Sequence, residues 1–185
     1  MTTTTFPNFF AGLSSVEEIK KAYRKLAFQH HPDMGGDLAT MQEINRQYEI
    51  ALRGCDGQTS YSYNGKGEQQ THTYTYSHAR EKEIQTALDE LIKSLGKEIA
   101  EGKITADLIG IYIWIGNTTR EMKDVQAKLR ELNFSWHSKR QLWYWHPSDY
   151  SARRYAGGSL EDLANKYGAT NLSGRAKQAA YAPTR

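Results

Sequence analysis

The stretch QHHPDMGGD, residues 29–37, lies between two amphipathic runs and dictates how they can meet. Proline locks its own φ, lacks an amide hydrogen and drives the residue before it out of helical geometry. A helix arriving at Gln29 must therefore end near His31. Gly35 and Gly36 then let the chain reverse without a side-chain penalty. Upstream, Ser15 followed by Glu18 is a capping-box pair, and Val16, Ile19, Tyr23, Leu26 and Ala27 recur at the spacing of a helix stripe. Downstream, Asp37 is placed to cap a second helix carrying Leu38, Met41, Ile44, Tyr48 and Leu52 on one face. Two helices joined by so short a loop pack antiparallel. Phe9, Phe10 and Leu13 are available to close the core, which sets a helical block over residues 6–53.

Turn chemistry accounts for Pro32, Gly35 and Gly36 but not for His31 and Asp33 on either side of the proline. The first helix has a second face, where Lys20, Lys21, Arg24 and Lys25 are expected opposite the apolar stripe. A charge run can be no more than a solvated face. Here, though, it leads straight into the turn, and a protruding His and Asp beside cations suit docking onto an acidic protein surface. Nucleophilic catalysis would need a third orienting group, and none stands nearby in the sequence. Zinc would need more ligands than His30, His31 and Asp33 supply.

At 185 residues the chain suits one ordinary domain or two small ones with a linker. The lone Cys55 excludes an internal disulfide framework and fits a reducing cytoplasm. No apolar run approaches the roughly 18 residues of a membrane helix, and MTTTTFPNFF lacks the features of a secretory signal. A net charge of +3 does not by itself imply nucleic acid.

Residues 54–78 lose the aliphatics and become rich in Gly, Ser, Thr, Gln and Asn, the composition of a flexible polar linker. Tyr61, Tyr63, Tyr74 and Tyr76 alternate there with small polar residues and leave short strands or partner contacts open. A third block over 79–170 begins with a helix, about 79–101, striped by Ile84, Leu88, Leu91, Ile92, Leu95 and Ile99. Ile111 to Ile115 then has strand composition. Thr118 and Glu121 suggest a capping box for a helix bearing Met122, Val125, Leu129 and Leu132, which Asn133 can end in a left-handed conformation. FSWH and LWYWH form a hairpin across SKRQ. The order helix, strand, helix, hairpin makes a small α+β domain. A short helix over 160–167 follows, and residues 171–185 are expected to be a disordered tail.

Residues 17–52, EEIKKAYRKLAFQHHPDMGGDLATMQEINRQYEIAL, resemble a J-domain, the co-chaperone module of the DnaJ family. KKAYRKLA leading into HPD, then GGD, then Met41, Ile44, Asn45 and Tyr48 carry the likeness, in a form similar to viral and phage J-domain proteins. The resemblance implies a mainly α domain that binds a DnaK-type heat-shock chaperone in its ATP state and accelerates hydrolysis there. It assigns chaperone binding to His31, Pro32, Asp33, Lys20, Lys21, Arg24 and Lys25. The chain would then be no enzyme and would need no cofactor or metal of its own. PNFFAGL is short for the first J-domain helix, and no Gly/Phe-rich region or CxxCxGxG repeat follows. A J-domain attached to something else is implied, without general client binding.

For the third block, Trp136, Trp143 and Trp145 with Lys139 and Arg140 are candidates for nucleic-acid or target binding, because aromatics interleaved with cations suit stacking and phosphate neutralisation. A small domain also needs indoles for its core. Alternate hairpin residues face opposite sides, so Leu142 and Tyr144 cannot share a face with Trp143 and Trp145. Three expectations follow: a co-chaperone whose C-terminal module selects an unknown client, a nucleic-acid-binding protein recruiting the chaperone through an accessory J-domain, or a decoy that binds it without stimulation.

Overall fold

The computed structural model describes residues 6–63, 69–150 and 169–171. Helix α1 spans Val16–His30 and begins in the expected capping box: the Ser15 side chain accepts from the Glu18 amide while the Glu18 carboxylate reaches back to Ser15. His31 leaves helical geometry at ψ 132°, as the following proline demands. Pro32–Met34 form one 3-10 turn, closed by Gly35 at φ 89°. Asp37 caps α2, Leu38–Arg53, through the Thr40 amide. The two helices zip along Tyr23 and Tyr48, whose rings stack at 3.9 Å, and Tyr23 donates to Asn45. Ile19, Tyr23 and Ala27 meet Met41, Ile44, Tyr48 and Leu52 in the core, with Phe10 added from the N-terminal turn.

Residues 54–78, expected as a flexible linker, contain two antiparallel strands, β1 Thr59–Tyr63 and β2 Gln69–Thr73. Alternation of Tyr and Thr with small polar residues fits a two-stranded ribbon. Tyr74 then turns inward, its amide bonding the Gln58 carbonyl and its hydroxyl reaching Glu81.

Helix α3, His78–Ala100, is capped by Ser77 and buries the expected stripe. Two strands follow where one was expected. β3, Thr105–Ile109, pairs with β4, Tyr112–Gly116, around a tight turn at Gly110, φ 61°. TADLI is too mixed to declare itself a strand, and only pairing with β4 makes it one. The next helix starts late: α4 spans Lys123–Glu131 with no side-chain cap, so the Thr118–Glu121 box does not form. Residues 119–122 instead make turns, and Gln126 donates to the Thr119 carbonyl. Asn133 is left-handed, as expected, at φ 60°. β5, Ser135–His137, and β6, Leu142–Trp145, form the hairpin, and β7, Ala169–Asn171, joins the far edge. The sheet order is β5-β6-β4-β3-β7, antiparallel throughout. The helix expected over 160–167 and the tail over 171–185 fall outside the described residues, apart from Asn171.

The class is a helical N-terminal block followed by a small helix-plus-antiparallel-sheet unit. Helix α3 lies at their junction. Leu88, Leu91 and Leu95 belong to the same buried cluster as Tyr23, Ile44 and Tyr48 on one side and Leu108, Ile113 and Ile115 on the other. Each such aliphatic contributes about 1.5–3 kcal/mol when fully buried.

Candidate functional site around the HPD turn

The sequence places four cations on α1, and the fold sorts them. Successive helix residues are turned about 100° apart, so Lys20 and Arg24 share one row and Lys21 and Lys25 the next. Lys21 and Lys25 face solvent as expected, whereas Lys20 is largely enclosed and Arg24 is buried. The expectation of one solvated patch holds for only half of it. The reason is that α3 lies beside Lys20 and the β3–β4 turn beside Arg24.

Lys20 donates to Glu81 Oε1 at 2.7 Å and sits over the Tyr74 ring. Glu81, in the first turn of α3, is itself buried and also accepts from the Tyr48 and Tyr74 hydroxyls at 3.0 and 3.3 Å. A buried carboxylate with three donors is well satisfied; one that lost them would be costly. Burial lowers the Lys20 ammonium below its ordinary pKa and outweighs the opposing pull of Glu81. Burial also lowers the Arg24 guanidinium, to about 10. That guanidinium donates Nη1 to the Leu108 carbonyl and Nη2 to the Gly110 carbonyl, each at 3.1 Å, at the β3–β4 turn.

His31 behaves like the buried row. Its ring is 3% exposed, Nδ1 accepts from the Asp33 amide at 3.1 Å, and Nε2 lies 2.8 Å from Asp89 Oδ1 on α3. Because the Nδ1 lone pair is engaged, Nε2 carries the hydrogen and donates to Asp89. Pro32 and Asp33 remain at the surface, the Asp33 carboxylate 46% exposed. The HPD turn thus shows two members outward and one inward. Beneath it, a Cβ placed on Gly96 of α3 would come within 2.7 Å of Met34 Sδ, so the turn rests on the one position of α3 without a side chain. A glycine inside a helix costs about 1 kcal/mol against alanine, and this close approach is what it permits.

Glu81, Asp89 and Gly96 were not among the candidate residues. Glu81 carries a legible signal, a carboxylate three residues before Ile84 on the apolar stripe. Gly96 carries another, an isolated glycine inside a helical pattern. Asp89 shares a row with Gly96 and reads as ordinary surface.

In the third block the candidates separate. Trp143 is buried against the core, edge-on to Trp136 and beneath the Arg130 guanidinium at 5.2 Å. Trp145, on the same face, is half-buried, while Trp136 and Lys139 are exposed. Arg140 lies over Trp114, on the opposite face of the sheet. The alternation expected for Leu142 and Tyr144 is present: both pack on the Ile109–Trp114 side. The five residues therefore form no common surface, and Trp143 has no free ring face for a base. Among the described residues no three His, Cys, Asp or Glu side chains cluster to hold a metal, and no helix is long and apolar enough to cross a membrane.

Residues 11–53 match the DnaJ domain family. The same region is 49% identical over 37 residues to chaperone protein dnaJ A6 of Oryza sativa subsp. japonica, covering 20% of this chain and 9% of that protein. It is 57% identical over 37 residues to chaperone protein DnaJ of Mycoplasmopsis pulmonis, covering 18% and 10%. With chaperone protein DnaJ of Acetivibrio thermocellus it shares 58% over 41 residues, covering 20% and 11%. The matched segment spans only about a tenth of these relatives. No solved structure matches the chain.

Proposed function

We propose that this chain is a J-domain co-chaperone that docks on an ATP-loaded DnaK-type chaperone and stimulates its ATP hydrolysis, without enzymatic chemistry of its own. An N-terminal DnaJ domain supports the co-chaperone role, since that family works with heat-shock chaperones of this type. One observation carries the finer reading: Pro32 and Asp33 project from a turn stiffened at both ends, beside the exposed Lys21 and Lys25. An exposed carboxylate on a preorganised turn engages a partner arginine with little ordering cost. Cations beside it steer association with an acidic face and make it salt-sensitive. The cytoplasm, where such chaperones and free thiols occur together, is the proposed setting. The sheet unit that follows selects the target to which the chaperone is brought.

The test is single-turnover ATP hydrolysis by the purified chaperone. The full chain accelerates it; Asp33→Asn and His31→Gln fall to near the unstimulated rate while keeping the wild-type circular dichroism spectrum. Normal stimulation by both variants would refute the proposal. Binding by the wild type without acceleration would mark a decoy instead.

A further inference from the structure

Of the seven residues assigned to chaperone docking, three are already occupied from within the chain. Lys20 is held by Glu81, Arg24 by the Leu108 and Gly110 carbonyls, and His31 by Asp89. These partners are not scattered. Two lie on α3 two turns apart, and the carbonyls belong to the turn of the sheet unit beside it. Glu81 and Asp89 are the two carboxylates that α3 offers to the basic row of α1 and to the turn, whereas Glu83 is engaged by Ser148 and Lys82 lines the cleft beside Asp89. At the turn the contact combines the His31–Asp89 hydrogen bond with Met34 seated on Gly96, and it is not sealed. A cleft of about 290 Å³ opens there, lined among others by Tyr23, His31, Met41, Gln85 and Asp89.

We infer that the C-terminal unit is an intramolecular stand-in for the chaperone: α3 occupies the docking face of the J-domain, and productive docking requires the HPD turn and α1 to part from it. This rests on the co-chaperone reading above. The exchange is like for like. Lys20, Arg24 and His31 trade one set of acceptors for another, so opening leaves no buried cation bare once the partner is seated. The population of the open form sets the apparent affinity, because a partner that binds only that form sees its affinity reduced by the fraction open. A target that binds the sheet unit and loosens α3 would thereby admit the chaperone at the site where it is needed.

Position 96 offers a direct lock. A Cβ there lies 3.6 Å from Met34 Cγ, the place a cysteine sulfur would take, within reach of a disulfide. In a Cys55→Ala background, Met34→Cys with Gly96→Cys should form a reversible clamp between turn and helix. Oxidised, this protein is expected to lose at least tenfold of the chaperone ATPase stimulation, and reduction should restore it. As a second variant, Asp89→Ala, at an exposed carboxylate, should lower the concentration for half-maximal stimulation about threefold or more. An oxidised clamp that stimulates like the reduced protein would overturn the inference, as would an unchanged half-maximal concentration for Asp89→Ala. If wild type, reduced clamp and Asp89→Ala all fail to stimulate, the co-chaperone reading falls and this inference with it.

Discussion

Lys20 and Arg24 differ from Lys21 and Lys25 by one position in sequence and by everything in environment. One row is enclosed by α3 and the β3–β4 turn, with named acceptors; the other faces water. Residue type therefore does not determine the role of a charge on this helix. The 100° between neighbours does, together with what the rest of the chain lays beside them. The HPD turn repeats the division within three residues, with His31 inside and Asp33 outside.

The sharpest way to break the comparison is to remove the acceptor of the inner row. Glu81→Ala leaves Lys20 and two tyrosine hydroxyls without their buried partner. It should cost about 3–5 kcal/mol, read as a lowered urea midpoint. Arg24→Ala strands two carbonyls at the β3–β4 turn and should cost about 1–3 kcal/mol in the same experiment. The outer row should respond in the opposite sense. Lys21→Ala with Lys25→Ala should leave stability within about 0.5 kcal/mol of wild type, yet slow association with the chaperone and flatten its salt dependence. If the outer pair cost as much stability as Arg24, the division would be wrong. The smallest effect is expected at Gly96→Ala. A helix-propensity gain of about 1 kcal/mol opposes the displacement of Met34, leaving a net change near zero.

Much of this was legible beforehand. Ser15–Glu18, Asp37 and the proline fix α1, α2 and the turn, because capping and φ restriction act through neighbours in sequence. The stripe of α3 and the left-handed Asn133 were equally local. What escaped was non-local. β3 needs β4 to become a strand, and the hairpin in 54–78 emerges only on pairing. The Thr118 cap gives way to turns whose carbonyl is used by Gln126. At the site the same rule holds. Asp33 could be placed outward from the turn alone, but the burial of Lys20 and His31 depends on α3, and that of Arg24 on the β3–β4 turn, all far away in sequence. Trp143 and Trp136 make the point again: both indoles lie on one face of the hairpin, and only the inner strand position is buried.

Hydrogen exchange of the full chain with the chaperone, in ATP and in ADP, addresses docking and opening in one measurement. Docking through the HPD turn predicts that residues 20–33 gain protection with the ATP-loaded partner alone. Release of α3 predicts that amides in its first two-thirds, residues 78–92, lose protection at the same time. Unchanged exchange over 20–33 with the ATP-loaded chaperone would contradict the assignment of this face as the docking site.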